Sequence, residues 1–178
     1  MSLRPPLAAV LTGSLALAGC QVAPGPASPS RSASAGSVVL RVTSVADGDT
    51  FTGRDATGAK VKVRMLSIAA PELAHDGKSA ACGSSEAAVR LRALLSGQTV
   101  SLVADPRADA TDRYGRRLAY VELDGRDVAL QLVSEGLVEA WYPSGEPKPA
   151  RFTAYADAQE AASKNRAGSW ATCSSLGR

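Results

Sequence analysis

Aromatic side chains are scarce: Phe, Tyr and Trp together make up 4% of the 178 residues. A core must therefore be built from Val, Leu, Ile and Ala. The same scarcity argues against a protein that stacks a long run of bases on aromatic platforms. Excess charge is also lacking. The formal charge is +3, but Arg4 and Arg31 lie outside the region that reads as folded; without them, 18 of the 20 basic residues face 17 acidic ones. That balance excludes a polycationic nucleic-acid coat, so any phosphate binding must come from a few placed arginines. Histidine occurs once, as His75, in a loop-like stretch where such a residue is ordinarily solvated. No internal repeat is visible.

What is present suffices for one ordinary domain, with 45% hydrophobic residues to form its core. The N-terminal segment 1–19 reads as a signal peptide: Arg4 supplies a positive start and Leu7 to Ala18 an apolar run too short to span a bilayer comfortably. It ends Leu17-Ala18-Gly19-Cys20, which looks like the lipobox of bacterial lipoproteins. The expectation is a lipidated Cys20 at the mature N-terminus and a domain anchored to the bacterial cell membrane on its extracytoplasmic side. Three cysteines are odd for an exported chain, but lipidating Cys20 leaves Cys82 and Cys173 as a pair. Outside the cytoplasm they are expected to oxidise. The loop closed would hold about 90 residues, worth up to roughly 4–5 kcal/mol in the chain-entropy account.

Residues 20–37 continue as a Pro-, Ser-, Ala- and Gly-rich linker without apolar periodicity. From residue 38 the pattern changes. Val38 to Val45 is β-branched and apolar, Asp47-Gly48 reads as a two-residue hairpin turn, and Asp49 to Arg54 returns as a second strand. Val61 to Ser67 alternates as a third. A loop through Pro71, Gly77 and Gly83 leads to a helix capped by Ser84 or Ser85 and running to about Ser96. Strands are expected at 98–104 and 118–123, helices at 126–135 and 151–166, and a short strand at 137–142. Three strands, a helix, two strands and two further helices predict an α+β domain over 38–178. Its architecture would be a five-stranded OB-like β-barrel with three packed α-helices.

Three segments carry chemistry. Val45-Ala46-Asp47-Gly48-Asp49-Thr50 places two carboxylates at a hairpin, where hard oxygen ligands suit a calcium ion. Taken alone it is an ordinary Asp-Gly turn. Arg64-Met65-Leu66-Ser67-Ile68-Ala69-Ala70-Pro71-Glu72 delivers an arginine from a strand and a glutamate from the following loop. A guanidinium fork holds two phosphate oxygens, and a loop carboxylate takes a proton from water. Asp112-Arg113-Tyr114-Gly115-Arg116 presents further arginines in a tight turn. Each is weak by itself.

In this order and at these separations, the three resemble the thermonuclease (staphylococcal nuclease-like) family, with its V-x-D-G-D-T hairpin, R-x-x-x-I-D-[AT]-P-E segment and D-x-Y-G-R turn. The resemblance covers residues 38 to about 171, including an Ala-rich last helix leading to Trp170, which looks like a packing residue. It implies Asp49 as a Ca²⁺ ligand, Asp47 as an acid one step removed from the ion, and the Ala70 carbonyl as a further ligand. It implies Arg64 and Arg116 as the phosphate-gripping arginines and Glu72 as the general base. Tyr114, with Arg113 beside it, would contact the nucleotide. One departure stands out: the family's aspartate after the isoleucine is Ala69 here, and a methyl group coordinates nothing. Asp76, close by in the following loop, is the candidate to substitute for it.

The expectation is Ca²⁺-assisted phosphodiester hydrolysis of DNA or RNA by a monomeric, lipid-anchored enzyme, with Ca²⁺ held weakly. The competing expectation is a non-catalytic OB module that binds nucleic acid or protein at the cell surface. Arg64, Glu72 and Arg116 favour the first; Ala69 favours the second.

Overall fold

The computed structural model describes residues 37–176; the expected signal peptide, Cys20 and nearly all of the linker lie outside the described residues. Five strands close a barrel. β1 (Val38–Val45), β2 (Thr50–Arg54) and β3 (Lys60–Met65) form an antiparallel meander. β5 (Thr99–Val103) pairs with the first half of β1, and β6 (Arg117–Leu123) with β5. A parallel pairing of β3 with β6 completes the cycle, removing the open edges. β1 serves two neighbours because a bulge between Val42 and Ser44 bends it, and bulges sharpen local twist. The expected α+β, OB-like architecture with three packed helices is what the chain adopts.

The inward positions are those the alternation predicts: Leu40 and Val42, Phe51, Val63 and Met65, Val100 and Leu102, Ala119 and Val121 are all buried. Helix α1 (Ser84–Leu95) lays Ala87, Ala88, Leu91 and Leu95 over them. Helix α2 (Val128–Ser134) adds Val128, Ala129, Leu132 and Val133, and α3 (Phe152–Lys164) contributes Tyr155 and Ala162. Each fully buried Leu or Val contributes about 1.5–3 kcal/mol relative to exposure. The core is aliphatic, with Phe51, Tyr120 and Tyr155 as its large aromatic members.

Several local expectations are corrected. Residues 46–49 form a four-residue turn between β1 and β2, with no positive φ at Gly48. Glycine is required there by crowding: a Cβ would lie 2.7 Å from both the Ala70 and Ala87 Cβ atoms. The third strand ends at Met65. The chain turns a corner at Ser67, whose φ is 64°, and resumes as β4 (Ile68–Ala69) against β8 (Glu139–Ala140). No serine caps α1. Its N-cap is Gly83, at φ 83° and without a side-chain cap, and a Cβ there would lie 2.7 Å from Ser169 Oγ. The neighbouring Cys82 is bonded to Cys173 across a separation of 91 residues, so close approach of the C-terminal segment sets this helix entry. The second helix starts two residues late, after the short β7 (Arg126–Asp127), because Asp127 accepts the Leu130 N–H at 3.0 Å and acts as N-cap. Trp170 sits in a 3-10 turn (Gly168–Ala171) packed against Gly136. Among the described residues no helix is long and apolar enough to cross a membrane.

Candidate active site

The β1–β2 turn is shaped by its own carboxylate. Asp47 Oδ1 accepts the Asp49 N–H at 2.9 Å, and both Ala46 and Asp47 donate to the Thr50 carbonyl. This Asx-type closure sets the two acids side by side at the barrel rim. Asp49 is buried. Its Oδ1 accepts the Thr50 hydroxyl at 2.9 Å; its Oδ2 accepts the Ala70 N–H at 2.7 Å and lies 3.0 Å from Arg64 Nη2. Its carbonyl accepts the Met65 N–H. One residue therefore ties the turn to β3 and to the loop behind it. Burial outweighs the attraction of Arg64 and, with Asp47 alongside, pushes the Asp49 carboxyl up to about 6.

Arg64 occupies an outward position of β3, opposite Thr50. Its Nη1 donates to the Met65 carbonyl at 2.6 Å, so the guanidinium is held from two sides. Beyond the Ser67 corner, Ala69 is buried and pairs with Glu139. Ala70 meets the site through its N–H on Asp49. Glu72 is exposed, and its carbonyl accepts the Ala81 N–H at 2.8 Å, which pins the ends of loop 72–81 together.

The third segment is also organised by an aspartate. Asp112 Oδ1 accepts the N–H groups of Tyr114 and Arg116, each at 2.9 Å, while Oδ2 accepts from Arg116 Nε at 2.6 Å. Gly115 takes the left-handed conformation, φ 72°, that this turn demands. Burial opposes ionisation of Asp112, but the hydrogen bonds from Arg116 and Tyr114 prevail and hold its carboxyl below the usual range. Arg116 is thus gripped at Nε, with Nη1 and Nη2 making no hydrogen bond to the described residues. Tyr114, 67% exposed, lies under the Arg113 and Arg116 guanidinium groups at 4.8 and 5.4 Å.

The loop carrying these residues is anchored from below. Buried Asp105 accepts from the Tyr120 hydroxyl, from Arg107 N at 2.9 Å and from Ala150 N at 2.6 Å. The Arg151 N–H donates to the Tyr120 hydroxyl at 3.0 Å. Two segments 45 residues apart, around 105 and 150, are so fixed to one strand.

Between these parts lies a cleft of about 770 Å³. Asp47, Asp49, Arg64, Glu72, Arg113, Tyr114 and Arg116 all line it, and Trp141 and Tyr142 form part of its wall. Three motifs distant in sequence thus converge. His75 and Asp76 sit in an exposed turn, with His75 Nδ1 against the Leu73 carbonyl, and neither lines the cleft. Neither Ala69 nor Ala70, both buried, lines it, and Cys20 lies outside the described residues. Thr50, Asp105, Asp112, Trp141 and Tyr142 were not singled out from sequence. Thr50 and Asp112 lie inside the quoted motifs, and Asp112 carried a usable signal as an Asx-turn residue four positions before Arg116.

Among the described residues, no group of three or more His, Cys, Asp or Glu side chains is assembled for a metal ion. The donors at the hairpin are two carboxylates on the cleft wall, one of them buried and paired with Arg64 at 3.0 Å. A Ca²⁺ ion, which takes six to eight oxygens, would have to draw most of them there from water or phosphate.

A family model described as Staphylococcal nuclease homologue matches residues 62–172, well over half of the chain. The matched span holds Arg64, Glu72 and Arg116 and begins after the carboxylate hairpin. No curated protein matches the chain.

Proposed function

From a chain that belongs to the staphylococcal nuclease homologue family, we propose a nuclease that hydrolyses phosphodiester bonds of DNA or RNA in this cleft. The observation that supports it best is the convergence of Arg64, Glu72 and Arg116, from a strand and two separate loops, on one cavity. In this reading the two guanidinium forks hold the non-bridging oxygens of the scissile phosphate. Each binds the dianionic, five-coordinate transition state more strongly than the singly charged diester. Glu72 takes a proton from a water molecule whose oxygen attacks phosphorus in line. The opposite P–O bond breaks and the leaving oxygen is protonated from solvent. Tyr114 and Arg113 contact the nucleotide from the exposed rim. Asp49, the Ala70 carbonyl and, at one remove, Asp47 would hold Ca²⁺ weakly; when bound, the ion supplies further charge neutralisation at the phosphate. The domain acts as a monomer, exported and tethered to the membrane through a lipid on Cys20.

A second reading is favoured by one residue, Ala69: the fold kept as a non-catalytic binding module. A Ca²⁺ titration of nuclease activity separates the two. Weak Ca²⁺-dependent cleavage by the wild type supports the enzyme. If the wild type cleaves nothing at tens of millimolar Ca²⁺ while Ala69→Asp creates activity, the binding-module reading replaces it.

A further inference from the structure

Outside the cleft, positive charge is concentrated on one face of the barrel. The outward positions of β3 are Lys60, Lys62 and Arg64, recurring every second residue, about 6.6 Å apart along the strand. Across the sheet Lys60 lies opposite Arg54, and Arg54 opposite Arg41 on β1. Lys60, Lys62, Arg54 and Arg41 are all exposed. Among the described residues none of these four forms a salt bridge. Arg54 donates to the Gly58 carbonyl at 2.6 Å. The carboxylate nearest in sequence to it, Asp55, is turned onto Thr57 and the Ala59 N–H of its own turn. Directly opposed like charges destabilise a sheet. In a domain whose charges otherwise nearly balance, this row of four exposed cations without ion pairs runs into the cleft at Arg64, which Asp49 holds.

We propose that the outer face of β1–β2–β3 is a phosphate-tracking surface that receives the nucleic-acid backbone as it leaves the cleft past Arg64. The inference rests on the nuclease reading for the identity of its occupant. Charge complementarity and continuity with Arg64 select a polyanionic chain. The row offers guanidinium and ammonium groups and no aromatic side chain, which selects contact with phosphates rather than with bases, so the surface binds without regard to sequence. Its consequence is a preference for long substrates over short ones.

The test uses the full chain and the triple variant R41Q/K60Q/K62Q, with K60R/K62R as a charge-retaining control. Substrates are single-stranded oligonucleotides of about four and about sixteen nucleotides, and a chromogenic mononucleotide diester. The wild type should show a KM at least roughly tenfold lower for the long oligonucleotide. In the triple variant that advantage should vanish. The slope of log binding constant against log salt should also fall by about 0.7 per charge removed, with kcat on the small diester unchanged. K60R/K62R should behave as wild type. An unchanged length preference and salt slope in a folded triple variant overturns the proposal while leaving the nuclease reading intact. Loss of binding to anionic phospholipid vesicles without loss of oligonucleotide binding also overturns it, assigning the face to the membrane. If the wild type cleaves none of the three substrates, yet its long-oligonucleotide binding depends on the row, the nuclease reading falls and the surface stands.

Discussion

At position 69 the chain carries a methyl group where the thermonuclease pattern has a carboxylate, and the fold buries that methyl opposite Glu139. An aspartate introduced there would be desolvated and would face a like charge across the β4–β8 pair. Ala69→Asp should therefore lower stability without Ca²⁺, by about 1–3 kcal/mol as for other buried polar misfits. Calcium should restore it by mass action, about 2.7 kcal/mol at a hundredfold excess over Kd. Thermal melts of wild type and variant across a Ca²⁺ series measure this; a variant whose melting temperature ignores Ca²⁺ contradicts the placement of the site beside Asp49. The candidate residues themselves were legible in sequence because they sit in short motifs. Their partners were not. Thr50 closes the hairpin motif, but its hydrogen bond to Asp49, like those of Asp105 to Tyr120 and Ala150, is set by the folded geometry rather than by residue type alone.

At the scale of elements, two turns were named from sequence for the wrong physical reason or with none. Asp47-Gly48 reads as a hairpin turn because glycine tolerates positive φ. The structure uses glycine there to let Ala70 and Ala87 close over the turn. Gly48→Ala should overpack that contact, costing about 1–3 kcal/mol and displacing both carboxylates. Urea unfolding and activity assays should show the two losses together. In the arginine turn, Asp112 holds Tyr114 N, Arg116 N and Arg116 Nε at once. Asp112→Ala should leave Arg116 charged but unplaced, lowering kcat/KM by about tenfold or more. Asp112→Asn, which keeps an acceptor for the two backbone N–H groups, should recover part of the loss. Strand and helix identities followed from periodicity. Boundaries at 65, 83 and 127 did not, because a left-handed serine, a disulfide and a half-buried N-cap set them.

For the molecule as a whole, the barrel order was readable because its strands come as a meander plus a pair. The parallel β3–β6 closure was not, since no local pattern encodes it. The Cys82–Cys173 bond followed from cysteine parity. Its replacement by serines should cost about 2–5 kcal/mol in denaturant unfolding. Acid should weaken the fold in a defined direction. Burial alone would raise the Asp105 carboxyl, but hydrogen bonds from Tyr120, Arg107 and Ala150 prevail and lower it. A carboxyl depressed in the folded state contributes stability above its unfolded pKa near 3.8 and loses it as pH falls through the folded value. Melting temperature should therefore fall as pH drops below about 4, and fall less in Asp105→Asn, which should already be less stable at neutral pH. A parallel pH profile for the two proteins would remove Asp105 from this role.

The proposed chemistry breaks phosphodiesters in this cleft with Glu72 as the base. It is tested most directly by kcat and KM for hydrolysis of a single-stranded oligonucleotide at saturating Ca²⁺, for wild type and Glu72→Gln. In Glu72→Gln kcat should fall by about 10²–10⁴ with KM nearly unchanged, because the variant still binds but no longer takes the proton from water. Equal kcat in the two proteins would contradict it.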